Sequence, residues 1–294
     1  MQLTGVFTAL VTPFSAGEVD LAAFRALCER QVQAGVAGLV PCGTTGEAPT
    51  LSGAEWSALV ETTLEVARAH EAQTGQRVAV VPGVGTNSTA STVDAVQRAR
   101  KLGADAGLLV LPYYNKPNPR GLLAHVERAC AEGLPIVVYH VPGRTAQRLP
   151  VAQLARLCEV PGVVSCKEAT GDVAFGIDLV EALELRGAGV TVLSGDDFTF
   201  APLVAMGGHG VISVLSNVAP RMTVAWCDAA RTGDVATLRD LRRRLQPLVR
   251  YLFADSNPVP VKAAMAAMGL CADEPRLPLA SGTRPDPELV RGLQ

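Results

Sequence analysis

The strongest constraint on the fold is a regular alternation of two sequence patterns. Eight short runs of apolar and β-branched residues recur along the chain, at residues 5–12, 38–43, 77–84, 106–113, 135–141, 162–167, 190–195 and 210–216. The stretches between them, such as residues 21–35, 53–70 and 88–103, carry apolar residues at three- and four-residue spacing, which is typical of helices. Alternating strands and helices predict a parallel sheet with right-handed crossovers.

Eight strand–helix units predict a closed (β/α)8 TIM barrel, a fold that typically takes about 250 residues. The alternative is an open doubly wound sheet, which often carries a G-x-G-x-x-G motif after its first strand. Here the first strand runs into TPFSAGEVD instead, and this favours the barrel. The strand patterns stop at about residue 218. We therefore predict a barrel over residues 1–220 and a C-terminal helical extension over residues 221–294 that packs on it.

The composition argues against nucleic-acid and membrane partners. The formal net charge is −2 and aromatic residues make up 4% of the chain, so neither a basic footprint nor a base-stacking surface is expected. No apolar stretch reaches the ~20 residues of a membrane helix, and we interpret the N-terminus as a first strand rather than a signal peptide. The seven cysteines form no C-x-x-C pair, as is usual for buried thiols in a reducing compartment. We expect a cytoplasmic protein.

Polar residues collect where the predicted strands end. In a (β/α)8 barrel the loops after the carboxyl ends of the strands form the face that carries the active site. The segments at these positions are GTTGE (43–47), PYYNKP (112–117), YHVPGRT (139–145), KEATGD (167–172), SGDD (194–197) and ISVLSN (212–217). Hydroxyl groups, glycines, one arginine and one lysine are therefore predicted to converge on one rim.

Lys167 is the most informative of these residues, because it is one of only four lysines and it ends a buried-strand pattern. At an ordinary pKa near 10.4, only about 0.04% of a lysine is the neutral nucleophile at pH 7. Burial at a barrel mouth can lower the pKa by several units. Arginine does not replace lysine there, since a guanidinium forms no Schiff base. The alternative is an ion pair with Glu168 or Asp196, but the convergence of motifs favours a nucleophile.

Two segments have the chemistry to bind carboxylates. The turn that contains Gly43, Thr44 and Thr45 has glycines that let successive N–H groups point at one anion. The alternative is a plain turn in which one of the threonines caps the next helix. Arg144 follows a Pro-Gly pair, where it either clamps a carboxylate through two hydrogen bonds or is an ordinary surface arginine.

The remaining polar residues indicate proton transfer rather than metal binding. Tyr139 lies within an apolar strand pattern, where it is either a proton carrier at the barrel mouth or a core tyrosine. Asp196 and Asp197 are adjacent, and such pairs are more often helix N-caps than cation ligands. The four histidines show no metal-ligand spacing. We predict no metal.

Together these motifs resemble the dihydrodipicolinate synthase and N-acetylneuraminate lyase superfamily of pyruvate-dependent class I aldolases. GTTGE, PYYNKP, YHVPGRT, KEATGD, SGDD, GHGVISVLSN and NPVPVK occur in family order over essentially the whole chain. The chain is most similar to the synthase branch. That similarity implies condensation of pyruvate with L-aspartate-4-semialdehyde to 4-hydroxy-tetrahydrodipicolinate, in lysine and diaminopimelate biosynthesis. His140 departs from the asparagine often found at its position.

The resemblance implies a catalytic role for four residues. Lys167 would form an imine with C2 of pyruvate, so that no other cofactor is needed. Tyr139 would relay protons as the imine becomes an enamine. Thr44 and Tyr114 would extend this relay to solvent, with Tyr114 donated across a dimer interface. The resemblance also implies a homotetramer built as a dimer of dimers.

Four further residues would bind the substrates. Thr45, with the turn that begins at Gly43, would hold the pyruvate carboxylate. Arg144 would bind the carboxylate of the aldehyde substrate, and Ile212 would line the pyruvate pocket. Two other functions stay open. One is a related aldolase or lyase that acts on 4-hydroxy-2-oxoglutarate, a 2-keto-3-deoxy sugar acid or N-acetylneuraminate, and the other is a non-catalytic keto-acid-binding protein.

Regulation is predicted to differ from that of the lysine-inhibited synthases. These enzymes bind lysine between subunits, and Asn87 and Tyr113 match their site. However, Gly53 and Trp56 replace imidazoles, and Ser91 replaces a carboxylate. Loss of the carboxylate removes a charge-assisted partner for the amines of lysine. We therefore predict weak or absent inhibition by lysine.

Overall fold

All eight predicted runs contain a strand in the computed structural model, which describes residues 1–293. The strands are β1 (Gly5–Ala9), β2 (Phe14–Ser15), β3 (Glu18–Val19), β4 (Gly38–Val40), β5 (Ala79–Val80), β6 (Gly107–Val110), β7 (Ile136–His140), β8 (Val163–Glu168), β9 (Thr191–Ser194) and β10 (Gly210–Ser213). Eight of them form one sheet in the order β5-β4-β1-β10-β9-β8-β7-β6. Every pairing with an assigned register in that sheet is parallel.

The strands β2 and β3 form a separate antiparallel hairpin that the sequence patterns did not predict. Its two-residue turn, Ala16 and Gly17, has φ values of 51° and 83°. Positive φ at both positions suits the turn type that follows the right-handed twist of paired strands. With two residues in each strand, the hairpin is too short to produce a recognisable alternation of apolar and polar residues.

Helices separate the strands and follow the last of them. They are α1 (Leu21–Gln33), α2 (Gly53–Thr74), α3 (Thr89–Leu102), α4 (Pro119–Cys130), α5 (Pro142–Thr145), α6 (Val151–Cys158), α7 (Val173–Leu185), α8 (Phe200–Ala205), α9 (Pro220–Thr232), α10 (Val235–Leu252), α11 (Val259–Ala267) and α12 (Pro287–Val290). Polar side chains begin several of them. At α2, for example, the Ser52 hydroxyl accepts from the Glu55 amide and the Glu55 carboxylate accepts from the Ser52 amide.

The strand and helix order confirms the predicted fold class. Eight parallel strands that alternate with helices are the pattern of a (β/α)8 TIM barrel, and the helices α9 to α12 form the C-terminal helical extension. None of the helices in the described part of the chain combines the length and apolar character needed to cross a membrane.

One compact unit comprises residues 1–5 and 81–212. It contains β6 to β9 and the helices α3 to α8, and its core includes the fully buried side chains of Ile136, Val137 and Leu193. The backbone of Gly210 packs directly on that of Gly5 in this unit. A Cβ atom at Gly210 would lie 2.0 Å from the carbonyl oxygen of Gly5, so only glycine fits there.

The other compact unit comprises residues 6–80 together with the chain from residue 213 onward. Asn217 links its two parts, because the side-chain amide donates to the Ala9 carbonyl at 2.8 Å and accepts from the Val11 amide at 3.3 Å. The C-terminal helices therefore pack in one unit with the first strands of the barrel. The boundary that we place at residue 220 stays a prediction.

Candidate active site

Lys167 and Tyr139 face each other on neighbouring strands. The pairing of β7 with β8 shifts register between Ile136 and Val137, and this brings Lys167 rather than Cys166 opposite Tyr139. Such a one-residue shift changes which side chains share a face. The ammonium nitrogen of Lys167 lies 4.2 Å from the centroid of the Tyr139 ring. The structure thus brings together two of the side chains that the sequence singles out, and their roles as nucleophile and proton carrier stay predictions.

The electrostatic surroundings of Lys167 favour its neutral form. The side chain is 6% exposed, and burial lowers its pKa to about 7. The nearby charge of Asp197 opposes this shift, whereas that of Arg144 lowers the pKa further. Burial dominates because the charged form of an amine loses more hydration than the neutral form. A large share of Lys167 is therefore an uncharged amine at neutral pH.

The alternative interpretation of Lys167, an ion pair with Glu168 or Asp196, is not found within residues 1–293. One carboxylate oxygen of Glu168 accepts from the Thr170 amide at 2.6 Å. One carboxylate oxygen of Asp196 accepts from the Phe198 amide at 2.6 Å. Each carboxylate thus accepts a hydrogen bond within its own loop. The carboxylate whose charge acts on Lys167 is that of Asp197, a residue only 1% exposed.

Two features of the SGDD segment were not predicted correctly from the sequence. The interpretation of its aspartates as N-caps was wrong, because Thr199 is the N-cap of the following helix, α8. The glycine of this segment makes room for the side chain of Lys167. A Cβ atom at Gly195 would lie 2.8 Å from Cε of Lys167 and 2.6 Å from Cβ of Ala169. Only the folded structure, which places Lys167 and Ala169 beside Gly195, shows that this position requires glycine.

Arg144 lies in the short helix α5, in the segment that follows β7. It is exposed, and its amide donates to the Val141 carbonyl at 2.9 Å. Its charge is close enough to lower the pKa of Lys167. An arginine held there has the geometry to receive an anion that approaches from solvent.

Ile212 and Tyr114, the other two candidates in the compact unit of residues 1–5 and 81–212, differ in exposure. Ile212 is 1% exposed in β10, and its place in the wall of a substrate pocket stays a prediction. Tyr114 is 89% exposed and has φ of 70°, a left-handed conformation that is uncommon outside glycine. Within the isolated chain, Tyr114 is therefore not part of an enclosed site.

The turn after β4 has the features of an anion site. Its backbone is bent by positive φ values of 55° at Cys42 and 54° at Glu47. Within the described residues, the amides of positions 44–46 donate no hydrogen bond. Successive unpaired amides in a turn favour binding of a negatively charged group.

The threonines of this turn do not cap the next helix, so the alternative interpretation of the turn was wrong. Ser52 is the N-cap of α2. The hydroxyl of Thr45 instead accepts from the side-chain amide of Asn257 at 2.9 Å, and Thr45 is 3% exposed. Thr44 is half-buried.

A buried ion pair holds the end of the same turn and was missed from the sequence. The ammonium group of Lys262 donates to the Glu47 carboxylate at 2.7 Å, and both side chains are almost fully buried. The second carboxylate oxygen of Glu47 accepts from the Arg276 amide at 2.8 Å. A lysine within the apolar pattern VPVKAAM was the available signal, although its partner lies 215 residues away.

Metal binding has no support from the described side chains. Among residues 1–293, no group of three or more histidine, cysteine, aspartate or glutamate side chains is arranged to hold a metal ion. The absence of a metal and of a separate cofactor stays a prediction.

Comparison with known proteins identifies the family. Residues 2–290 match the dihydrodipicolinate synthetase family. The 4-hydroxy-tetrahydrodipicolinate synthase of Maridesulfovibrio salexigens is 46% identical over 283 residues, which cover 95% of this chain and 93% of that protein. The chain belongs to the dihydrodipicolinate synthetase family. The resemblance drawn from its motifs is thereby confirmed.

Solved structures of the family share the fold. Dihydrodipicolinate synthase from Thermotoga maritima superposes with a TM-score of 0.92 at 40% identity, covering all of this chain and 98% of that one. The chloride-inhibited dihydrodipicolinate synthase from Acinetobacter baumannii, complexed with pyruvate, has a TM-score of 0.89 at 38% identity, with 95% and 94% coverage. These similarities confirm the TIM barrel. The family match and the synthases among its relatives identify an enzyme of the aldolase-type lyase class.

Proposed function

We propose that this enzyme condenses pyruvate with L-aspartate-4-semialdehyde to form 4-hydroxy-tetrahydrodipicolinate. This is the activity for which its relatives are named. One observation carries the proposal. In this member of the family, the buried Lys167, whose pKa is lowered to about 7, lies against the ring of Tyr139. This combination suits imine chemistry, because a neutral amine is the nucleophile and a phenol exchanges protons beside it. The reaction belongs to lysine and diaminopimelate biosynthesis.

The first half of the proposed reaction attaches pyruvate to Lys167. The neutral amine adds to the C2 carbonyl, and loss of one water molecule gives a protonated imine. Tyr139 carries the protons that this step moves, and Thr44 and Tyr114 pass them on to solvent. The imine then loses a C3 proton to become an enamine. The protonated imine on Lys167 accepts the electron pair of the broken C–H bond, so no separate cofactor is required.

The second half forms the carbon–carbon bond and frees the enzyme. The enamine attacks the aldehyde carbon of aspartate semialdehyde, and the imine forms again. The amine of the substrate then adds to the imine carbon and displaces Lys167. The product is a six-membered ring that carries one hydroxyl and two carboxylates. Overall, the two substrates join with the release of one water molecule.

Two separate elements are proposed to recognise carboxylates. Thr45 and the amides of the turn that begins at Gly43 bind the carboxylate of pyruvate. Arg144 binds the carboxylate of aspartate semialdehyde through its guanidinium group. Ile212 provides an apolar wall of the pyruvate pocket. The free amides of the turn and the exposed guanidinium support these roles.

The assembled enzyme is proposed to be a homotetramer, a dimer of dimers, in the cytoplasm. The exposure of Tyr114 supports an assembly, since a side chain in the proton relay must be enclosed when the reaction occurs. The left-handed backbone at Tyr114 is a local strain of the kind often found at functional sites.

A coupled assay tests the proposed function. The purified enzyme is supplied with pyruvate and aspartate semialdehyde, and product formation is followed with the reductase that consumes it. We expect turnover, and we expect Lys167→Ala to abolish it. Lys101→Ala, which alters an exposed lysine, is the control and should remain fully active. Turnover of 4-hydroxy-2-oxoglutarate, a sugar acid or N-acetylneuraminate without turnover of aspartate semialdehyde would refute the assignment.

A further inference from the structure

His140 lies directly behind the proposed active site. It ends β7, next to Tyr139, and it is paired in register with Glu168, the residue after Lys167. Successive residues of a strand face opposite sides of the sheet. Tyr139 and Lys167 therefore contact each other on one face, while His140 and Glu168 lie on the other. His140 is fully buried, and its ring stacks on Phe175 of α7 with centroids 5.6 Å apart.

The hydrogen bond to the His140 ring shows which of its nitrogens is the acceptor. Its Nε2 atom accepts from the Leu149 amide at 3.1 Å. Because a backbone N–H is always a donor, this nitrogen carries no proton, and a neutral ring then has its proton on Nδ1. That nitrogen faces the Glu168 carboxylate at 3.8 Å. The ring thus presents an acceptor to Leu149 and a donor toward Glu168.

The Leu149 amide is the far end of the segment that carries Arg144. This segment, residues 141–149, leaves β7 at His140, forms the short helix α5 and returns to the His140 ring. The histidine therefore closes a nine-residue segment onto its own strand. Arg144 lies near the middle of the closed segment, so the position of its backbone depends on both ends.

Neighbouring contacts hold the returning half of the same segment. The Arg148 guanidinium lies 5.6 Å from the centroid of the Phe175 ring and pairs with the Asp172 carboxylate at 2.6 Å. The side-chain amide of Gln147 donates to the Pro117 carbonyl at 3.1 Å. Arg148 and Asp172 are about half exposed, and an exposed ion pair of this kind contributes little to the stability of the fold. The buried bond to His140 is the most protected of these contacts.

We propose that His140 is a positioning residue for the aldehyde substrate. It anchors residues 141–149 through the Leu149 amide, and it thereby sets Arg144 where the second carboxylate binds. It does not touch either substrate. The inference rests on the role of Arg144 in the proposed function. Asparagine does not serve in the same way, because its side chain ends near the position of Nδ1 and is too short to reach the Leu149 amide.

Two substitutions at His140 separate the hydrogen bond from the other contacts. In His140→Gln the amide end reaches the position of Nε2, so its oxygen accepts from Leu149. In His140→Asn the side chain stops short. We expect His140→Asn to raise the KM for aspartate semialdehyde about fivefold, which corresponds to the loss of one ordinary hydrogen bond. The KM for pyruvate should stay within about twofold of the original enzyme. His140→Gln should restore both values.

Phe175→Leu is the matched control for packing. It removes the ring stacked on His140 but leaves the bond to Leu149. We expect a lower melting temperature with unchanged KM values. An equal rise in the KM for aspartate semialdehyde in Phe175→Leu and His140→Asn would show that packing, not the hydrogen bond, positions the segment. Equal rises in both KM values in His140→Asn would also overturn the proposal.

Hydrogen exchange tests the anchor without the reaction. We expect the Leu149 amide to exchange faster in His140→Asn and at the original rate in His140→Gln. An unchanged rate in His140→Asn would refute the anchor. If the original enzyme does not turn over aspartate semialdehyde, the proposed function fails, and the exchange rates still decide whether His140 holds the segment.

Discussion

The pKa of Lys167 is the property of a single residue on which the chemistry depends most. With a pKa of about 7, the neutral fraction rises from about a tenth at pH 6 to about nine tenths at pH 8. We expect the initial rate of imine formation with pyruvate to rise through this range. Brief exposure to pyruvate at each pH, followed by a borohydride quench and mass spectrometry, measures this rate. A midpoint near 10 would contradict the account.

The two charges near Lys167 predict opposite shifts of this midpoint. Asp197 favours the cation, so Asp197→Asn should move the midpoint to lower pH. Arg144 disfavours the cation, so Arg144→Gln should move it to higher pH. Shifts in the same direction would show that the substitutions act through packing rather than charge.

At the scale of elements, the ion pair between Glu47 and Lys262 connects the turn after β4 to α11. Lys262→Met leaves Glu47 as an uncompensated buried charge. Loss of one partner of such a pair costs about 3–5 kcal/mol, so we expect a fall of this size in the free energy of unfolding. Urea denaturation measures it. The double variant Glu47→Gln with Lys262→Met should recover part of the loss, and a double variant as unstable as Lys262→Met would contradict the explanation.

The elements also show what could be predicted from the sequence. The eight barrel strands were predictable, because a strand buried on both faces gives a continuous apolar run. The convergence of Lys167 and Tyr139 followed from the rule that strand ends share a face. The β2–β3 hairpin was not predictable, since its strands are two residues long. The pairing of Lys262 with Glu47 was not predictable either, because no local pattern links residues so distant in sequence.

At the scale of the whole molecule, insensitivity to lysine is the sharpest prediction. Trp56, which the resemblance predicts to replace an imidazole of the lysine site, is 8% exposed in α2. An indole has one N–H donor and no acceptor for the amines of lysine, and Ser91 brings no charge for the effector. We expect isothermal titration calorimetry to detect no binding of L-lysine in the micromolar range. Micromolar binding, or strong inhibition of the coupled assay by lysine, would contradict this prediction.

Covalent trapping of pyruvate tests the central claim most directly. The enzyme is incubated with pyruvate, reduced with borohydride, digested and mapped by mass spectrometry. We predict one reduced pyruvate per chain, attached to the peptide that contains Lys167, and no adduct in Lys167→Ala. An adduct on Lys101, Lys116 or Lys262 instead, or no adduct at any lysine, would contradict the account.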